Sequence, residues 1–423
     1  MKSSTSAKPQ NKTLTEWLSY LESIHPSVIE LGLNRIKLVA DRLNLDFSDK
    51  TVITVAGTNG KGTTCRFLEQ ACLSKGKTTG VYSSPHLLEY QERVRINNVS
   101  AQSQALCAAF ATIEEAREDI SLTYFEFGTL AALLLMKQAD VDILILEVGL
   151  GGRLDATNII DADLAVITTI DLDHQDWLGD TRDAIAREKA GIMRSNGKAV
   201  IGEPEPPQSL RDVVESLSVS ARWAGQDFYT QQHDETWSWI SDDCRIDDLP
   251  TPRIPIQNVA TALAALQILD LLPAPSAVRE LAAAVSLPGR LETIALLPRV
   301  VVDVGHNPQA MAALRRWIAS QPYHKLHFVA GMLKDKSIKA TLAELNGLSA
   351  RWFLGTTKGP RGAASRLLQE NLDKSEQNQS NCYNSVGEAY AQAINEADER
   401  DLIIVFGSFL TVADVMHSTL PPS

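Results

Sequence analysis

Several short runs in this 423-residue chain are nearly continuously apolar: TVITVA (51–56), DILILEV (142–148), LAVIT (164–168) and KAVIG (198–202). A strand apolar on both faces must be covered on both, as in parallel sheets flanked by crossover helices. Helical patterns at 61–75, 101–118, 125–138 and 181–192 separate these runs, with TTGVYS (78–83) as a further strand. The alternation predicts an α/β fold with a mostly parallel sheet.

Residues 203–256, with EPEPP, three tryptophans and scattered acids, are less regular and predict a small β excursion. It returns through the helical segment QNVATALAALQIL (257–269). A second alternating run follows: RVVVDVG (299–305), a helix at 308–320, HKLHFVAGM (324–332), RWFLG (351–355) and DLIIVFGS (401–408). Between the two runs, SLPGRLETIALLP (286–298) carries Pro near both ends and Gly beside the first. We therefore expect two domains, 1–287 and 298–423, joined by a linker at 288–297.

Forty basic against 52 acidic residues, a net charge of -12, argue against a general nucleic-acid binder. The first 16 residues lack the apolar core of a signal peptide, and LAALLLM (130–136) is too short to cross a bilayer. The five cysteines form no C-x-x-C pair, so neither a zinc site nor a disulfide framework is suggested. Free thiols in a reducing cytoplasm, without membrane partners, are the expectation.

VITVAGTNGKGTT (52–64) leaves an apolar strand and enters a helix, where loop and first-turn N–H groups converge on an anion. The common phosphate loop is G-x-x-x-x-G-K-[ST]. Here Gly57 stands only three residues before Gly60-Lys61, and the hydroxyls arrive late, at Thr63 and Thr64. Other strand ends also gather polar groups. GVYSSPHL (80–87) offers Ser83, Ser84 and His86; LILEVGLGGRLDATN (144–158) offers Glu147, Arg153 and Asp155; VITTIDLDHQDWLG (166–179) packs three acids around His174. GLGG resembles a dinucleotide fingerprint only superficially, since Leu154 stands where a third small residue belongs. Lys189, in REKAGIMR (187–194), reads from its own context as part of a solvated salt-bridge face, and Arg290 as either a phosphate contact or a solvent-facing linker residue. VVDVGHNPQA (301–310) repeats the strand-end logic with Asp303, His306 and Asn307, and GSFLTVADV (407–415) closes the last strand.

VAGTNGKGTT, YSSPHL, FEFGTLAAL, ILEVGLGGRLDATN, DHQDWLG, REKAGI, PGR, DVGHNP and GSF occur in this order over nearly the whole chain. Together they resemble the bacterial bifunctional dihydrofolate synthases/folylpolyglutamate synthases of the Mur ligase superfamily. G-T-N-G-K-G-T is that superfamily's own form of the loop. The resemblance implies Mur ligase architecture, a P-loop-type ATPase domain followed by a smaller Rossmann-like domain. It also implies a reaction in which ATP phosphorylates a substrate carboxylate and the amine of L-glutamate displaces phosphate, with dihydropteroate and reduced folates as the other substrates.

By the same resemblance Thr58, Asn59, Gly60 and Lys61 hold the phosphates. Ser84 and Glu147 bind one Mg²⁺, and His174 binds a second, with Glu147 bridging. Lys189 is carbamylated and so becomes an anionic ligand at the metal site. Asn258, Arg290 and Asp303 contact ATP, while His306 and Ser408 serve catalysis and glutamate. Thr123, Tyr124, Phe125, Glu126 and Leu154 form the pterin-side set. Lys61, Lys189, His306 and Ser408 are the catalytic candidates, and a monomer is expected. One departure is Gly305, where many relatives have Ala. Three rivals stay open: another Mur-type amino acid ligase, a monofunctional folylpolyglutamate synthase, and a non-catalytic nucleotide-binding regulator.

Overall fold

The computed structural model describes residues 12–25 and 30–419. The chain forms two compact units. One takes the described residues up to Leu172 together with Trp177–Val285; the other takes Asp173–Asp176 and the described residues from Ser286 onward.

The first unit is built on an eight-stranded sheet. Its strands are β1 (Thr51–Ala56), β2 (Thr79–Tyr82), β3 (Val94–Ile96), β4 (Val99–Ser100), β5 (Ile143–Glu147), β6 (Leu164–Ile167), β7 (Lys198–Ile201) and β8 (Ser220–Trp223), in the order β4-β3-β2-β5-β1-β6-β7-β8. In that order every pairing from β2 to β8 is parallel, and β3 pairs antiparallel with both β2 and β4. The continuous apolar runs have the expected cause. On β5, Ile143 and Ile145 join a core that includes Trp237, Trp239 and the helix Ile256–Ile268, whereas Leu144 and Leu146 join a core shared with the helix Tyr124–Gln138. Each such side chain contributes about 1.5–3 kcal/mol by burial, so the sheet is held from both faces.

The β excursion is narrower than the sequence suggests. Residues 203–223 contain a helix, Gln208–Ser216, and β8, which extends the main sheet. Only β9 (Phe228–Gln232), β10 (Thr236–Ser241) and β11 (Arg245–Pro250) form a separate antiparallel sheet. β8 is an edge strand with partly exposed side chains, so it lacks the apolar continuity that marks its neighbours.

The second unit holds a six-stranded sheet of β12 (Glu292–Leu296), β13 (Arg299–Asp303), β14 (Leu326–Ala330), β15 (Ala350–Gly355), β16 (Ser380–Tyr383) and β17 (Leu402–Phe406), ordered β12-β13-β17-β14-β15-β16. The stretch expected as a linker, 288–297, thus contains a strand, paired antiparallel with β13. β12 is an edge strand whose residues are part-buried or exposed, Leu296 being 75% exposed. Its sequence therefore carries no core signal. All five cysteines are free thiols, and among the described residues no helix is long and apolar enough to cross a membrane.

Candidate active site

In the first unit β1, β2, β5 and β6 deliver their loops to one carboxyl edge of the sheet, where open parallel sheets bind ligands. β1 ends at Ala56 and the helix Lys61–Ser74 begins after Gly60, which is left-handed at φ +87° and leaves the helix without a side-chain cap. The first-turn N–H groups so exposed are suited to an anion. The loop is clamped to the residues following β6. Thr58 N–H donates to Thr169 O (2.9 Å), Thr58 Oγ1 donates to Asp171 O (3.0 Å), and Thr168 Oγ1 donates to Asn59 O (2.6 Å). The Gly57 and Gly60 positions cannot be filled. A Cβ on Gly57 would lie 1.8 Å from Thr168 Oγ1, and one on Gly60 would lie 2.5 Å from Asn258 Oδ1. Asn258 is itself fixed, its Nδ2 donating to Thr63 Oγ1 at 2.7 Å. The displaced threonine therefore ties the loop helix to Asn258. Lys61 Nζ donates to Gly57 O (2.8 Å) and Thr58 O (3.3 Å), folding over the loop.

Ser84 and Glu147 end neighbouring strands, β2 and β5, and meet: Ser84 N–H donates to Glu147 Oε2 at 3.3 Å, and Glu147 is buried. A buried carboxylate held by the main chain of a serine brings together two residues with hard-oxygen donors, the kind that suits a divalent cation of the Mg²⁺ type. Lys189, read from sequence as a surface salt-bridge residue, is buried. The surface pair is made one position earlier, by Glu188 with Arg153 at 2.9 Å. Gly152 lies so close to the end of this helix, Arg182–Ala190, that a Cβ would meet Glu188 O at 2.7 Å. Arg153 N–H donates to Glu188 O (2.8 Å), so GGR and REKAGI interlock. Asp155 closes the same loop by accepting from Gly149 N, Leu150 N and both polar groups of Thr157. Burial pushes its carboxyl up, against those hydrogen bonds.

The pterin-side set divides. Thr123 and Glu126 form a capping box at the start of the helix Tyr124–Gln138, and Arg35 Nε binds both Glu126 oxygens at 2.8 and 3.0 Å. These two side chains thus have structural partners. Phe125 lies against Gly149, whose added Cβ would sit 2.6 Å from the ring, and Tyr124 packs edge-on to Tyr90 at 5.8 Å. Leu154 is half-buried. His86, beside this group, accepts from Arg93 Nε at 2.8 Å. Burial and the Arg93 charge bring its pKa down to about 4, against the smaller pull of Glu92.

In the second unit Asp303 ends β13 and accepts from Gly305 N (2.7 Å) and Leu291 N (3.0 Å). Burial pushes its carboxyl up, opposed first by Arg290. The Arg290 guanidinium lies 4.9 Å from the Phe409 ring centre. His306 Nδ1 bonds Val304 O at 3.0 Å, which leaves Nε2 to face Asp173 at 3.6 Å. Asn307 caps the helix Pro308–Ala319. Ser408, buried after β17, accepts from Thr411 N at 3.0 Å. His174 falls in the short segment belonging to this unit, with Nε2 3.4 Å from Lys336 Nζ. Asp173 pairs with the same Lys336 at 2.6 Å. Burial would raise Asp173, but His306, Lys336 and His174 together hold it far below the usual carboxylate range.

Sequence reasoning missed the roles of Thr168, Thr169 and Lys336. Only the hydroxyl pair following an apolar strand could have signalled the first two.

The Mur ligase middle-domain model matches residues 55–266, and the Mur ligase glutamate ligase domain model matches 289–409. The dihydrofolate synthase/folylpolyglutamate synthase of Escherichia coli is 47% identical over 405 residues, covering 96% of this chain and 95% of that protein. A solved structure of E. coli FolC in complex with DHPP and ADP superposes with TM-score 0.93 at 46% identity, covering 97% of this chain and 98% of that one. A bifunctional folylpolyglutamate synthase/dihydrofolate synthase with Mn, AMPPNP and L-glutamate bound gives TM-score 0.91 at 46% identity, with the same coverage.

Proposed function

This chain belongs to the Mur ligase superfamily, in its dihydrofolate synthase/folylpolyglutamate synthase branch, and from that premise we propose a reaction and a role for each site residue. The protein is an ATP-dependent ligase that joins L-glutamate to dihydropteroate and to reduced folates. The observation that carries the reading is the loop Gly57–Lys61, an uncapped helix start clamped to Thr168 and Thr169 and built for phosphate, within a chain similar to these ligases from end to end.

Attack by a substrate carboxylate on the γ-phosphate brings two anions together, so cationic groups must gather at the transferring group. Thr58, Asn59 and Gly60 offer loop contacts to the phosphates, and Lys61 exchanges its own-loop carbonyls for phosphate oxygens. Ser84 and Glu147 hold a divalent cation, Mg²⁺ in our reading, which supplies charge neutralisation. Of the remaining metal-ligand candidates, His174 would bind a cation through its ring nitrogen and Lys189 would do so as its carbamate. Asn258, Arg290 and Asp303 contact ATP, and His306 and Ser408 serve the incoming glutamate. Phe125, Tyr124 and Leu154 line the dihydropteroate side, with Thr123 and Glu126 shaping that segment. The enzyme works as a monomer in the cytoplasm.

Incubation of the full chain with ATP, Mg²⁺, dihydropteroate and L-glutamate tests this, with ADP and dihydrofolate expected in equal amounts. Activity with tetrahydrofolate alone would make the enzyme monofunctional. Inactivity with both would remove the folate reading. For Lys189, ¹³CO₂ should give a carbamate resonance that Lys189→Ala abolishes; an unmodified lysine in active, metal-loaded enzyme would contradict that role.

A further inference from the structure

Glu69 lies on the helix that begins at the phosphate loop, and it is completely buried. A carboxylate in that position persists only when paired. Its partners are Arg66, at 3.0 Å, and Arg95, whose Nε sits 3.2 and 3.0 Å from the two carboxylate oxygens. Arg95 belongs to β3, the antiparallel neighbour of β2, and is opposite Val81. The guanidinium does not end its work at Glu69. Its Nη1 donates to Ser83 Oγ at 3.3 Å, and Ser83 N–H donates to Arg93 O at 2.8 Å. Ser83 is thus held from its side chain and its main chain at once. The next residue is Ser84, whose N–H reaches Glu147.

We propose that Arg95, anchored by buried Glu69, is a positioning residue that sets the loop after β2 so that Ser84 and Glu147 present their oxygens to one cation. The inference rests on the reading of those two residues as metal ligands. A planar fork is needed for the task, because one edge must satisfy Glu69 while another reaches Ser83; a lysine ammonium on a flexible stem cannot fix both directions.

Mn²⁺ titrated into the full chain without nucleotide, with free Mn²⁺ read by electron paramagnetic resonance, counts only the protein's own ligands. Residues that orient metal ligands typically change affinity by about 10–100-fold, so Arg95→Lys and Ser83→Ala should each weaken Mn²⁺ binding by roughly tenfold, at the low end of that range. Ser83→Ala removes one hydroxyl on a half-buried loop and should leave the unfolding midpoint unchanged, which separates positioning from folding. Folded variants that both bind Mn²⁺ within about twofold of the wild type, well under that range, would overturn the proposal. Glu147→Gln is the reference and should abolish binding. A wild type without measurable Mn²⁺ binding, or a Glu147→Gln protein that binds normally, would instead overturn the ligand reading and this inference with it.

Discussion

Gly60→Ala places a methyl group where two costs meet. The backbone there is left-handed at φ +87°, which penalises an L-residue by about 1–2 kcal/mol. The new Cβ would also lie 2.5 Å from Asn258 Oδ1 and 2.8 Å from Nδ2, so the amide must move and its 2.7 Å bond to Thr63 Oγ1 is lost. A buried hydrogen bond of this kind is worth about 1 kcal/mol. Gly60→Ala should thus destabilise the first unit by roughly 2–3 kcal/mol, the sum of those two effects. Asn258→Ala alone loses the same hydrogen bond, about 1 kcal/mol. In the double variant that bond can be lost only once. The combined effect should fall short of the sum of the single effects by about 1 kcal/mol, beyond the ~0.3–0.5 kcal/mol scatter of independent sites. Urea denaturation of the four proteins measures the cycle, and AMPPNP titration should show weakened nucleotide binding in each variant. Strict additivity would refute the claim that Asn258 is what excludes a side chain at Gly60.

Three further outcomes follow from the same geometry. Lys61→Ala should abolish ADP formation while stability changes by no more than about 0.5 kcal/mol, as for substitutions outside the core; near-normal turnover would remove Lys61 from the chemistry. Phe125→Leu should depress dihydrofolate synthesis much more than glutamate addition to tetrahydrofolate, measured side by side, and equal losses would indicate one shared pterin subsite. Glu126 is a poorer probe because Arg35 and the helix cap depend on it. His86 titrates near 4 in the fold and near 6.5 when unfolded, so its neutral form contributes full stability above about pH 6.5 and loses it as pH falls towards 4. His86→Gln keeps an acceptor for Arg93 without the titration, and its stability should decline less steeply across that window; superimposable profiles would contradict this.

Strands covered on both faces were legible because their apolar continuity is itself the record of that cover, as in the alternate residues of β5. Edges were not. β3 and β4 turn at Asn97 and Asn98, both at positive φ, in a short polar hairpin that no apolar run announces. β12 hid in a linker-like stretch for the same reason. The phosphate loop could be read from glycine spacing and context, whereas its clamp at Thr168 and Thr169 depends on a strand neighbour more than 100 residues away. Lys189 shows the limit most clearly. Its surroundings promised a surface ion pair, and that pair exists, but Glu188 makes it and Lys189 turns inward. Helical phase, not residue type, decides between them.

In the proposed reaction ATP activates the substrate carboxylate as an acyl phosphate, which the glutamate amine then attacks. Dihydropteroate labelled with ¹⁸O in its carboxylate, turned over with ATP, Mg²⁺ and L-glutamate, tests this through the inorganic phosphate released. Breakdown of an acyl phosphate by the glutamate amine leaves the bridging oxygen on phosphorus, so each phosphate formed should carry one ¹⁸O from the substrate. Phosphate released in step with dihydrofolate but without ¹⁸O would contradict the account.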